Sequence, residues 1–100
     1  EALTITRRAG ISDDTFFEVI AKNVGYSGLV KLKEPKLRAA DFAPQFSVKH
    51  MLKDMRPASA MNGCTDLPVL DTIRECLAAA ARAGYADEDF SALIKALPKD

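Results

Sequence analysis

The sequence predicts an all-α domain of five or six helices, on three observations. Apolar residues recur at spacings of three and four in successive segments. Ser and Asp starts and Gly and Pro stops cut the chain into helix-sized pieces. A period-two strand pattern is missing throughout, as are internal repeats and low-complexity stretches. At 100 residues the chain is the size of one domain with a modest core.

The opening segment, Glu1-Ala-Leu-Thr-Ile-Thr-Arg-Arg-Ala-Gly10, looks like the last turns of a helix, with basic residues near its end and Gly10 as the stop. It carries no start signal, so the chain is expected to be the tail of something longer. Ser12-Asp-Asp-Thr is a strong helix start, and a helix is expected from Asp13 to about Lys22 with Phe16, Val19 and Ile20 on its apolar side. Ser27 can cap a third helix from Gly28 to about Lys33, with Leu29 and Leu32 as its contacts. Pro35 should interrupt it, with a short turn resuming through Leu37 and Ala40. The basic set Lys31, Lys33, Lys36 and Arg38 is expected to be a solvated face.

Asp41 to Gln45 is a loop in which Phe42 and Phe46 should anchor into the core. A fourth helix begins near Phe46 or Ser47. Val48, Met51, Leu52, Met55 and Ala58 share one face of it, and Lys49, Lys53 and Arg56 share the other. His50 and Asp54 stand four apart and can meet. That polar side admits two readings, a solvated face with an ion pair, or a ligand-facing stripe offering ammonium groups and a held imidazole. Pro57 should kink or break the helix near Lys53–Asp54. Asn62-Gly63 is a stop. Pro68 suits the first turn of a fifth helix, striped by Leu70, Ile73, Leu77, Ala80 and Ala81 and stopped by Gly84. Asp87-Glu88-Asp89 should open a last helix with Phe90, Leu93, Ile94 and Leu97 inward and Pro98 at its end.

Lys plus Arg balance Asp plus Glu at 14 each. That balance argues against nonspecific nucleic-acid or anionic-membrane binding. No apolar run approaches the ~20 residues that span a bilayer. Cys64 and Cys76 have neither CxxC nor zinc spacing, and Cys76 is expected to be a small core residue. A cytoplasmic protein with free thiols is the expectation. The lone His50 has no metal partners at ligand spacing, and no GxSxG, P-loop or GxGxxG occurs.

The stretch Phe46-Ser-Val-Lys49-His50-Met-Leu-Lys53-Asp54-Met-Arg56 resembles the Lys-Asp motif of the β-hydroxyacid dehydrogenase family, and most of all its glyoxylate/succinic semialdehyde reductase branch. The likeness continues through Leu67-Pro68-Val69 and Gly84 to Ile94, and it includes Glu1 to Ile11, which resembles the end of the helix joining that family's two domains. The resemblance implies a helical C-terminal domain of the 6-phosphogluconate dehydrogenase-like type, which closes a cleft and makes subunit contacts. It further implies a Rossmann domain and a catalytic lysine upstream of these 100 residues, NAD or NADP as cofactor, and a small hydroxy or aldehyde acid as substrate. By position, Lys53 and Phe46 would contact cofactor, Asp54 would support the active site, and Lys49 and His50 would lie on the substrate side. The fragment alone would not catalyse, and it would self-associate. Pro57 departs from the family, where leucine is usual. A stand-alone helical oligomerisation module without catalysis is the alternative.

Overall fold

The computed structural model describes residues 1–61 and 67–98. The chain forms two compact units, Glu1–Asp41 and Phe42–Asp100, each built from helices.

In the first unit α1 spans Ala2–Arg8, α2 Asp13–Ala21 and α3 Gly28–Ala39. The end of α1 follows its sequence. Gly10 takes φ +75, and the Ile11 N–H reaches back to the Thr6 carbonyl at 2.9 Å. Ser12 caps α2 by accepting from the Thr15 N–H at 3.2 Å. Phe17 is the buried side chain of α2, whereas Val19, expected inward, is 62% exposed. The period named Phe16 for the inner side, and that expectation is corrected too. The choice falls on Phe17, whose ring takes the edge of Phe16 at 5.0 Å and the Arg38 guanidinium at 4.7 Å.

Two expectations for α3 fail. The helix runs unbroken through Pro35, and it is Lys33 that is buried while Leu29 and Leu32 stay about half exposed. Proline removes the N–H that would reach the carbonyl four residues back. Here that carbonyl belongs to Lys31, an exposed residue that water can serve. The basic set is a solvated face only in part: Lys31 and Arg38 are exposed, whereas Lys33 is buried. Lys36 is largely covered and pairs with Asp41 at 3.0 Å, and Arg38 holds Glu34 at 2.9 Å and Asp14 at 2.5 Å. Arg7 grips Asp13 with two hydrogen bonds, at 2.8 and 2.6 Å. That grip, chiefly its hydrogen bond, lowers the Asp13 carboxyl below its ordinary range.

The second unit holds α4 (Val48–Ala60), α5 (Pro68–Ala80), a π turn (Ala81–Tyr85), a 3₁₀ turn (Phe90–Ala92) and α6 (Leu93–Ala96). Its core is Val48, Leu77 and Ala80, all fully buried, with Met51, Leu52, Met55, Ala81, Tyr85 and Leu93 packed against them. The apolar face assigned to α4 thus faces α5. Pro68 takes the first position of α5, and Gly84 leaves the helical region at φ +95. Burying one leucine side chain contributes about 2 kcal/mol, so Leu77 is a main term in this unit.

The expected break at Pro57 does not occur, and α4 continues to Ala60. The carbonyl that Pro57 leaves without a donor is that of Lys53, again on the solvent side. Cys76 is exposed, not core, because Leu77 and Ala80 fix the inward direction of α5 and Cys76 falls off that arc. Cys64 and the Asn62-Gly63 stop lie outside the described residues. Asp87 and Glu88 do not open a helix. Asp89 alone caps, and the Phe90–Ala92 turn precedes α6. Among the described residues the only strand-like feature is a bridge between Ser47 and Asp89.

Candidate functional site

The polar face of α4 is assembled from its first turn outward. Ser47 is the N-cap, and its Oγ accepts from the His50 N–H at 3.4 Å. The Val48 and Lys49 N–H groups donate to the Glu88 and Ala86 carbonyls, both at 2.9 Å. Every N–H of that turn is therefore used. An anion at this face has to be met by side chains.

Asp89 fixes the chain leading into the helix. It is fully buried, a place a carboxylate tolerates only with hydrogen bonds. Its Oδ1 accepts from the Gln45 and Phe46 N–H groups at 3.0 and 3.2 Å. Its Oδ2 accepts from the Ser91 N–H at 3.1 Å and the Ser91 hydroxyl at 2.6 Å. The Phe90 N–H donates to the Phe46 carbonyl at 2.8 Å. The Lys95 ammonium, on α6, lies 5.1 Å from the Phe42 ring and 4.1 Å from the Tyr85 ring, and it binds both Glu88 oxygens. Phe42 is thus anchored. Phe46, expected to anchor as well, is 41% exposed. Its backbone is held so firmly that its side chain need not be.

The sequence-predicted site residues fall on this face as follows. Phe46 stands beside His50, with ring centroids 6.2 Å apart and planes inclined at 37°. His50 does not meet Asp54. Its Nδ1 lies 2.7 Å from the Ser47 hydroxyl, three residues back instead of four ahead. Lys49 pairs with Asp87, and that hydrogen bond holds the Asp87 carboxyl below its usual range. Lys53 and Asp54 are exposed, and among the described residues neither forms a hydrogen bond or ion pair. Lys53 is thus an exposed cation one turn beyond Lys49 that forms no ion pair among the described residues.

Ser47 and Asp89 escaped sequence reasoning. The signal for Ser47 was its place three residues before His50, where a cap and an imidazole can share one hydroxyl. Asp89-Phe90-Ser91 carried the Asx-turn pattern. Its remote partners, Gln45 and Phe46, are 44 and 43 residues away and leave no local trace. No group of three or more His, Cys, Asp or Glu among the described residues could hold a metal ion. No helix among them is long and apolar enough to cross a membrane.

Among the described residues the elements are helices, and one side of α4 presents an exposed aromatic ring and an exposed lysine. Residues 1–97 match the family described as NAD-binding of NADP-dependent 3-hydroxyisobutyrate dehydrogenase, and the chain belongs to that family. It is 31% identical over 99 residues to glyoxylate/succinic semialdehyde reductase 1 of Arabidopsis thaliana, covering 97% of this chain and 34% of that protein. It is 28% identical over 100 residues to L-threonate dehydrogenase of Cupriavidus necator, covering 98% of this chain and 34% of that protein. The crystal structure of 3-hydroxyisobutyrate dehydrogenase from Salmonella typhimurium aligns with a TM-score of 0.81 at 30% identity, over 94% of this chain and 34% of that one. The chain therefore spans about a third of the length of these relatives.

Proposed function

We propose that these 100 residues are the helical C-terminal domain of an NAD(P)-dependent oxidoreductase of small hydroxy or aldehyde acids, and that the polar face of α4 is its contribution to the cofactor and substrate site. We place the dinucleotide-binding Rossmann half and the catalytic lysine outside them. The observation that carries this is Lys53. It is an exposed ammonium with no hydrogen bond or ion pair among the described residues, on a helix whose other side is the core. Family membership supports the same reading.

The residues present suit a nicotinamide dinucleotide. Such a ligand combines anionic phosphate with flat rings, and the face offers an unpaired cation and an exposed aromatic ring. When bound, the nicotinamide supplies or accepts a hydride. Lys53 would bind an anionic oxygen of the cofactor, and Phe46 would cover a ring and exclude water. Asp54 would orient hydrogen-bond donors from its place beside Lys53. Lys49 and His50 would face the acid substrate, Lys49 in competition with Asp87 for its charge. NADPH should bind this chain alone only weakly, with a Kd of about 1 mM or above.

An NMR titration tests this. NADPH should move the Phe46, Lys49 and Lys53 resonances, and no response at those positions would overturn the site assignment. The chain mixed with NADPH and glyoxylate should show no turnover above blank, and clear turnover would sink the placement of the catalytic half elsewhere. We further propose that the chain self-associates in the cytoplasm. Val69 and Ile73, one turn apart on α5, are 72% and 40% exposed and support that reading. Sedimentation that shows only monomer at high concentration would count against it. The same stripe favours the second reading, a helical oligomerisation module without catalysis. That reading would stand if the chain associated but left NADPH unbound.

A further inference from the structure

We infer that Ser47 holds His50 as a fixed Nε2–H donor, and that His50 offers this N–H to an anionic oxygen of the ligand bound on the α4 face. This rests on the site reading above and adds to it the hydrogen-bonding role of the imidazole and the residue that sets it.

A serine has one proton to give and two lone pairs to receive with. As the α4 N-cap, Ser47 Oγ accepts from the His50 backbone N–H. Ser47 is 5% exposed, so water has little access to its proton. The acceptor in reach is His50 Nδ1 at 2.7 Å. The Val48 and Lys49 N–H groups are spent on the Glu88 and Ala86 carbonyls, so neither of them takes the second lone pair of Oγ. The hydroxyl proton therefore goes to Nδ1, and the neutral ring must carry its own proton on Nε2.

Protonation does not change what the ring presents. In the imidazolium, Nδ1–H donates to the second lone pair of Ser47 Oγ, and Nε2–H remains. His50 is thus a donor at Nε2 in both charge states. A ring free to exchange tautomers would present an acceptor part of the time. An acceptor at that point repels a carboxylate or phosphate oxygen, so the Ser47 contact biases the face towards anionic ligands without a net charge of its own. The exposed ring of Phe46 stands 6.2 Å away, and Lys53 follows one turn on, so the donor belongs to the same surface. The acceptor oxygen has two sources in an enzyme of this class, a dinucleotide phosphate or the carboxylate of the acid.

The test uses the full chain with labelled histidine. Long-range ¹H–¹⁵N spectra above the pH at which the ring is neutral should show the Nε2–H tautomer with Nδ1 as hydrogen-bond acceptor. Ser47→Ala should raise the Nδ1–H share by about fivefold, the worth of one hydrogen bond, and Ser47→Thr should restore the wild-type spectrum. A wild-type ring dominated by Nδ1–H overturns the inference without any variant having to fold. Titration with NADPH and, separately, with 3-hydroxyisobutyrate then identifies the oxygen. A shift of the His50 Nε2 signal with the first assigns it to phosphate, and with the second to carboxylate. If Phe46 and Lys53 respond and His50 stays silent to both ligands, the inference fails and the site reading stands. If none of the three responds, both fail.

Discussion

Among the described residues, the buried side chains of the Glu1–Asp41 unit are Leu3, Phe17 and Lys33, whereas from Phe42 onward they are Ser47, Val48, Leu77, Ala80 and Ala92 with the carboxylate of Asp89. The first unit is tied mainly at its surface, by Arg7–Asp13, Lys36–Asp41 and Arg38 with Glu34 and Asp14. The second is tied from within, by an apolar contact between α4 and α5 and a buried acid that collects four hydrogen bonds. Exposed ion pairs contribute little, because water screens them and long side chains lose freedom to form them. Buried apolar area and satisfied buried polar groups contribute more. The candidate site is accordingly found on the unit whose parts are held by the stronger terms. A binding face needs its backbone fixed before its side chains can be aimed.

The sharpest way to break this contrast is to remove its two acids in turn, the buried one first. Asp89→Ala leaves the Gln45, Phe46 and Ser91 donors without their acceptor inside the protein. A loss of about 4 kcal/mol is expected in urea unfolding, together with broadened Phe46 signals. A loss under about 1 kcal/mol would mean the buried acid is not what holds the loop. Leu77→Ala comes next, with about 3 kcal/mol expected from lost burial and the cavity left behind. Pro57→Leu runs the other way. It returns a donor to the Lys53 carbonyl in a helix that is already continuous, and a gain of about 2 kcal/mol should appear as a raised midpoint. A lowered midpoint would show that Pro57 fits α4 better than leucine does.

The smallest effect belongs to the first unit. Asp13→Asn should cost about 0.5 kcal/mol, since the Arg7–Asp13 pair is partly exposed and screened. Its sign with pH is set by the lowered carboxyl pKa. A depressed acid contributes its stability above the ordinary carboxylate range and loses it as pH falls through the lowered value. Acid titration of helicity should show that loss in the wild type and less of it in Asp13→Asn. Equal acid sensitivity in the two proteins would remove the pair from the account.

How far the sequence could be read depends on how local each cause is. The caps Ser12 and Ser27, the stops at Gly10 and Gly84, and Pro68 at a helix start all act within a few residues, and each is found where the pattern puts it. The apolar stripe of α4 was equally legible; on α5 Leu77 and Ala80 are buried as the period puts them, but Ile73, expected on the same stripe, is exposed. The prolines misled. Their local cost is real, but whether a helix breaks depends on whether water can serve the carbonyl left without a donor. Exposure decides that, and the one-dimensional pattern does not show it.

The sequence by itself determined that the chain is helical, where α2, α3 and α5 start, the polar stripe of α4 and, through Phe46 to Arg56, the family. Helix periodicity and capping are short-range physics written in neighbouring residues. Only the tertiary structure decided that Phe17 and Lys33 turn inward, that Cys76 turns outward, that His50 answers to Ser47 and not to Asp54, and that a buried Asp89 steadies the loop carrying Phe46. The His50 partner turned on which side-chain rotamer the packing selected. Asp89 turned on two segments more than forty residues apart meeting, so that a charge costly to bury found every hydrogen bond it needed.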